Sequence, residues 1–193
     1  MPLIALEGID KAGKDTQSKR LGKRLVERGF SVEHISFPDY GTPLGREISN
    51  FLHGKIDLRP EVRQLLYIAN RWERERDMAA GLERGRVVIA DRYVPSGLAY
   101  GLANGLSLDW MLGLEVGLPA TDLVVVIDIS VEESYRREAR KDIYEKDKIF
   151  LGKVRRSYLE LAKKLDWVII DGEKSANDVS QQIWEKVTTN LKM

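Results

Sequence analysis

Five short apolar runs divide the chain: Leu3 to Leu6, Ser31 to Phe37, Arg86 to Asp91, Leu123 to Asp128 and Trp167 to Gly172. The second alternates weakly, as a strand does; the others are close to continuous, the pattern of strands buried on both faces. Helical periodicity fills the intervals. It runs from about Lys14 to Glu27, with Leu21, Leu25 and Val26 on one side and Gly29 at its end. A breaker-rich loop, Pro38 to Pro43, precedes a short helix over Leu44 to Leu52. Pro60 sits where a first helical residue would, and a long helix follows to about Leu82. Pro95-Ser96-Gly97 breaks the chain after the third run, and two short helical segments lead to about Val116. Val131 to Leu165 is helical but heavily charged, with an interruption near Asp142, and Ala176 to Leu191 closes the pattern. Strands alternating with helices predict an α/β fold: a five-stranded parallel sheet with helices on both faces. Ligands of such sheets bind at the carboxyl ends of the strands, where Gly8, Phe37, Asp91, Asp128 and Asp171 fall.

The first strand opens into Gly8-Ile9-Asp10-Lys11-Ala12-Gly13-Lys14-Asp15-Thr16. This is the G-x-x-x-x-G-K pattern of a phosphate-binding loop, with Asp15 where Ser or Thr is expected. Two glycines let the backbone curl so that successive N–H groups point inward, and the helix N-terminus adds partial positive charge. Lys14 can reach β- and γ-phosphates from that concavity. The strand before and helix after are the context that favours phosphate binding over an ordinary turn with a surface lysine.

Composition narrows the classes. At 193 residues the chain suits one domain, 1–193, with room for a mobile insertion. Hydrophobic residues at 43% and charged residues at 32% describe a globular protein. Lys and Arg total 31 against 30 Asp and Glu, so no global field points to nucleic acid or membrane. There is no cysteine, which excludes disulfides, thiolate metal sites and a cysteine nucleophile. The fold starts too early for a leader peptide and no apolar run is long enough to span a membrane, so the cytoplasm is expected.

Other stretches admit two readings each. In the long helix, Val62, Leu65, Leu66, Ala69 and Trp72 form an apolar stripe, with Tyr67 and Arg71 roughly opposite. That pair is either a solvated cation–π contact or a pocket wall that stacks on a planar base and bonds its edge. The pattern alone favours the former. Asp91 can hold Mg²⁺ through water and Arg92 can bridge two phosphates, or the two form a structural ion pair. Arg136, Arg137 and Arg140 cluster one turn after Glu132 and Glu133, as on a surface helix held by i,i+4 pairs. His34 and His53 lack metal-ligand spacing.

Taken together, the motifs resemble the thymidylate kinases, within the P-loop nucleoside monophosphate kinases. The resemblance spans Glu7-Gly8-Ile9-Asp10-x-Ala12-Gly13-Lys14, Phe37-Pro38, Leu66-Tyr67-x-Ala69-Asn70-Arg71-Trp72-Glu73, and Asp91-Arg92-Tyr93-x-x-Ser96-Gly97-x-Ala99-Tyr100. A charged lid, roughly residues 131–150, with Asp142-Ile143-Tyr144-Glu145, and Asp171-Gly172 complete it. It implies a P-loop NTPase fold with a helical lid, and transfer of the ATP γ-phosphoryl group to dTMP with Mg²⁺. It implies further that Lys14, Arg92, Lys11 and Arg140 act on the transferring group. ATP would lie along residues Gly8 to Thr16 and against Asp171 and Gly172. The acceptor would meet Asp10 at its 3′-hydroxyl, Tyr67 and Arg71 at its base, Arg92 at its phosphate, and Phe37, Ser96, Gly97, Tyr100 and Tyr144 around it. Asp15 and Asp91 are the metal candidates, and family members are usually homodimers.

Three positions depart from the family pattern. Lys11 replaces a glycine, or in other members an arginine that acts on the transferring phosphate. Tyr40 stands where many members have a phosphate-binding arginine. Asp15 replaces the loop hydroxyl, either as a metal ligand or turned away with Thr16 in its stead. The alternative functions are another nucleotide or nucleoside kinase of the same fold, or a degenerate nucleotide-binding regulator.

Overall fold

The computed structural model describes residues 1–137 and 142–192. Five strands form one parallel sheet in the order β2-β3-β1-β4-β5. They are β1 (Leu3–Glu7), β2 (Val32–Ser36), β3 (Val87–Asp91), β4 (Leu123–Asp128) and β5 (Val168–Asp171). β1 lies at the centre, with Ala5 level with Ala90 on one side and Val124 on the other. Every residue of β1 is buried, as the apolar run requires of a strand covered on both faces. The expected α/β architecture is the one observed.

Two helices, α1 (Lys14–Glu27) and α10 (Ala176–Leu191), pack together on one face. The other face is covered by α4 (Glu75–Glu83), α5 (Val94–Ala103) and α9 (Lys148–Leu165). Two glycines mark the opposite sides. Gly22 of α1 lies against His34, and Gly81 of α4 against its strand neighbour Glu33. Outside the layers stand α2 (Pro43–Leu52), α3 (Pro60–Trp72) and α6 (Leu108–Leu114), with α7 (Val131–Arg137) and the short α8 (Ile143–Lys146) after β4. A small second core of Ile48, Phe51, Leu52 and Tyr144 joins α2 to α8.

Two sequence expectations change. The long helix expected from Pro60 to Leu82 is two, α3 and α4, parted at Glu73 and Arg74. No glycine or proline lies there to announce the break. Arg74 instead pairs with Asp39 at 3.2 Å and Asp77 at 3.0 Å, so the loop after β2 fixes where α4 begins. The orientation of α3 is also the reverse of what its apolar stripe suggests. Val62 (42%), Leu65 (45%) and Trp72 (42%) are exposed, whereas Gln64, Ile68, Asn70 and Arg71 are buried. The polar side faces the protein.

The interruption expected near Asp142 is present. The Asp142 carboxylate accepts from Glu145 N at 2.8 Å and the Glu145 carboxylate from Asp142 N, a reciprocal cap that starts α8. Asp147 caps α9 in turn, accepting from Phe150 N at 2.9 Å. Arg140 lies outside the described residues.

Candidate active site

The loop after β1 is built by backbone geometry. Gly8, Lys11 and Gly13 have φ of 134°, 66° and 95°, values that curl the chain before α1. A Cβ on Gly8 would lie 2.4 Å from the Ile127 carbonyl oxygen, so only glycine permits this approach to β4. Lys14 follows, buried, its Nζ donating to the carbonyls of Gly8 at 3.2 Å and Ile9 at 3.0 Å. Burial, with Arg92 nearby, brings its pKa down from 10.5 to about 8. Its ammonium therefore sits in the loop it would use to hold phosphate.

Beside it, Arg92 leaves β3 with φ 66° and crosses to β1. Its guanidinium donates to Gly8 O at 2.9 Å, Ser96 Oγ at 3.2 Å, Tyr158 OH at 3.3 Å and the Asp10 carboxylate at 2.5 Å. Tyr100 OH donates to the other Asp10 oxygen at 2.8 Å. Burial alone would raise the Asp10 carboxyl, but Arg92 and Lys14 outweigh it and hold the pKa below the ordinary value. Glu7, fully buried, accepts from Tyr93 N at 2.7 Å, Ser96 Oγ at 2.6 Å and Tyr158 OH at 3.0 Å. Burial still pushes its pKa up. The sequence does not mark Glu7 and Tyr158 as members of this cluster. A tyrosine in mid-helix gives no signal separate from core packing, and Glu7 appeared only as part of a motif.

Two clefts open on this cluster. One, of about 590 Å³, is rich in aromatic rings and includes Tyr67, Arg71, Ser96, Gly97, Tyr100 and Tyr144. The other, of about 1000 Å³, runs along Lys11, Gly13, Lys14, Asp15 and Thr16 to Asp91 and Arg137. They share Asp10, Phe37, Pro38, Tyr40 and Arg92. Gly8, Ile9 and Ala12 form the loop without lining either cleft. Tyr40 stands half exposed at the shared wall, its hydroxyl pushed up to about 12 by burial.

The remaining expected residues are placed as follows. Arg71 pairs with Glu115 through its fork, and both are buried. Tyr144 stacks on Phe150 with centroids 4.8 Å apart, stands edge-on to Tyr100, and accepts from Arg63 at 3.0 Å. Lys11 reaches Glu145 of α8 at 3.1 Å. Asp171 and Gly172 line neither cleft. The Asp171 carboxylate accepts from Glu173 N, while Gly172 O accepts from Arg137, which also donates to Lys11 O. Asn70 holds the loop after β2, accepting from Asp39 N at 2.8 Å and donating to Thr42 Oγ1 at 2.8 Å. Asp15 borders the second cleft, but its side chain is 68% exposed and pairs with Lys19 at 2.8 Å. That is the outward-turned alternative.

Asp91 gives the second cleft a hard oxygen donor, with Thr16 also along its wall and Asp15 turned to Lys19, and no cluster of three His, Cys, Asp or Glu exists among the described residues. The donor set fits Mg²⁺, which takes most of its octahedron from phosphates and water and needs only one or two carboxylates.

The family model for thymidylate kinase matches residues 6–183. The chain belongs to the thymidylate kinase family. Human thymidylate kinase is 35% identical over 184 residues, covering 94% of this chain and 87% of that one. A probable thymidylate kinase of Thermococcus kodakarensis is 38% identical over 201 residues, covering 97% of this chain and 98% of that one. The solved structure of thymidylate kinase from Candida albicans superposes with a TM-score of 0.87 at 33% identity, over 98% of this chain and 92% of that one. The P-loop fold of this kinase family is thus shared over nearly the full length, and no helix among the described residues is long and apolar enough to cross a membrane.

The buried Lys14 yields a pH test. Its folded pKa of about 8 lies below the ordinary 10.5. Between those values the unfolded chain binds the extra proton, so stability rises with pH across the window. Relative to Lys14→Met, the nucleotide-free wild type should gain up to about 3 kcal/mol from pH 8 to 10.5 in urea unfolding. A flat difference would show that Lys14 is not desolvated.

Proposed function

We infer that the protein transfers the γ-phosphoryl group of ATP to dTMP, giving ADP and dTDP. The observation that carries this is the pair of clefts, one aromatic and one P-loop, meeting at Asp10 and Arg92. ATP lies along the loop, its phosphates on the backbone N–H groups and Lys14, with Arg137 at its edge. The acceptor base enters the aromatic cleft against Tyr67, with Arg71 at its polar edge. Asp10 takes the 3′-hydroxyl, and Tyr100, tied to Asp10, crowds the 2′ position. Arg92 then holds the transferring phosphate.

The chemistry asks for little more than positioning. The nucleophile is an oxygen of the acceptor phosphate, already anionic, so no strong general base is required. The protein supplies positive charge where charge spreads over the transferring group: Arg92, Lys14 and Lys11, with Arg140 from the lid. Mg²⁺, when bound, neutralises the phosphates; Asp91 would hold it through water, with Thr16 at the loop, since Asp15 is turned to Lys19.

We read the chain as one kinase domain, 1–193, whose lid is roughly 131–150. Lys11 on Glu145 and Tyr144 in the aromatic cleft support a lid that meets both substrates. A homodimer is supported by apolar side chains left exposed on neighbouring elements: Val62, Leu65 and Trp72 on α3, Leu112 on α6 and Val116 just beyond. A Cβ on Gly117 would touch Trp72, so the two parts of this face adjoin. The lack of cysteine fits a reducing compartment, on which ground we assign the cytoplasm. Retention of Lys14 and Arg92 in a closed network argues against a degenerate regulator.

A coupled assay with ATP should show dTMP preferred over dUMP, dCMP and AMP. Arg71→Ala should cost about 1.5–3 kcal/mol in kcat/KM for dTMP, the loss of a charged donor at the base edge. Equal use of another monophosphate would make the protein a different kinase of this fold. In the same assay Lys11→Ala should lower kcat and leave the KM for ATP nearly unchanged; a loss confined to that KM would limit Lys11 to nucleotide binding. Sedimentation of Trp72→Asp beside the wild type checks the dimer face, the variant being expected as a monomer. A wild type that is itself monomeric would remove the proposal.

A further inference from the structure

We propose that Glu115 is a positioning residue for base recognition: it locks the Arg71 guanidinium in the one orientation that presents donors to the acceptor base. The inference rests on the acceptor reading above and goes beyond it, because Glu115 lines neither cleft. It sits at the C-terminal end of α6, and Arg71 belongs to α3, 44 positions earlier.

The geometry is that of a held fork. Arg71 Nε donates to one Glu115 oxygen at 3.1 Å, and Nη2 donates to the other. Bidentate pairing fixes the guanidinium plane, where a single bond would let it swivel. Only 3% of Arg71 and 7% of Glu115 is exposed, so water cannot replace either partner.

The fork is also boxed from the cleft side. A Cβ on Gly97 would lie 2.9 Å from Arg71 Nη2 and 3.4 Å from Nη1. The same point is 3.3 Å from the Gln64 amide, itself buried. Gly97 therefore lets the guanidinium reach the cleft, and the close approach of α5 prevents it from turning elsewhere. Nε and Nη2 are engaged by Glu115 and Arg71 lines the aromatic cleft, so Nη1 is the edge that this proposal assigns to the base.

A guanidinium has donors and no acceptor. Held still, its free edge suits a base carrying a carbonyl at that position and opposes one carrying an amino group, whose hydrogens would face it. Released, it can shift away from the amino group and discrimination falls. Glu115 thus acts on specificity through Arg71, without touching substrate.

The experiment compares dTMP with dCMP, 4-oxo against 4-amino, in the wild type, Glu115→Gln and Glu115→Asp. Glutamine keeps the size and removes the charge; aspartate keeps the charge and withdraws it by one methylene. Glu115→Gln should lower the ratio of kcat/KM for dTMP over dCMP by about tenfold to a hundredfold, the scale of a displaced orienting group. The KM for dTMP should carry most of that loss, with the KM for ATP unmoved, and Glu115→Asp should fall between. A merely structural role predicts equal losses for both acceptors and for ATP, and that result overturns the proposal. So does an unchanged ratio. Should Glu115→Gln fail to fold, the Glu115→Asp ratio decides alone: a fall supports the proposal and no change overturns it. A wild type that prefers dTMP while both variants keep that preference sinks this inference only. A wild type with no such preference sinks the acceptor reading together with it.

Discussion

Four charged side chains share the carboxyl end of β1, and the clefts exist because they balance. Glu7 and Asp10 face Lys14 and Arg92 at the end of an apolar strand, with Ser96, Tyr100 and Tyr158 around them. Unpaired, any of them would be costly to bury; together each finds a partner or a hydrogen bond. Arg92 is the hub, since it touches the loop carbonyl, the Asp10 carboxylate and two hydroxyls. Glu7 fixes the far side by gathering Tyr93 N, Ser96 and Tyr158. The result is a stiff polar floor on which an anionic substrate meets preset positive charge. Its stiffness comes from neighbouring strands, because the register sets Leu6 level with Asp91 and brings Arg92 across to the loop.

Beyond the bonds that Ser134 and Arg137 of α7 make to the loop, α8 meets that floor through two unlike contacts. Lys11 pairs with Glu145, a charge contact from the loop to α8. Tyr144 stacks on Phe150 and leans on Tyr100, an aromatic contact from α8 to the cleft proposed for the acceptor. α8 is only four residues long, far below the length at which a helix is stable alone. Its reciprocal cap and these two anchors hold it. Each anchor belongs to a different cleft, so α8 touches both.

Helix α3 joins recognition to the exposed apolar face. Tyr67 and Arg71 turn inward, while Val62, Leu65 and Trp72, the side that reads as core, turn outward. The inversion has a chemical logic. A binding wall needs polar groups inside, and the apolar side is then free for another surface. Arg71 and Trp72 are adjacent in the chain, so the buried Arg71 that lines the cleft and the exposed face are separated by the thickness of one helix.

The sequence by itself determined the strand count, the parallel sheet, the loop and the family, because each is written in local signals. Apolar runs of strand length, glycines at fixed offsets and a lysine after the second glycine need no knowledge of distant residues. Asp142 was legible as an interruption for the same reason: a helix cap is a matter of three residues. The tertiary structure alone decided which face of α3 is inside, where α3 ends, and that the side of α1 carrying Asp15 and Lys19 is left exposed. It alone joined Glu115 to Arg71 and Tyr158 to Glu7, partners 44 and 151 positions apart. Periodicity reports that a helix has an apolar side, but whether that side meets the core, a substrate cleft or open surface depends on what packs against it. Long-range pairing of buried charges leaves no mark in composition or spacing, because each partner alone looks like any solvated residue.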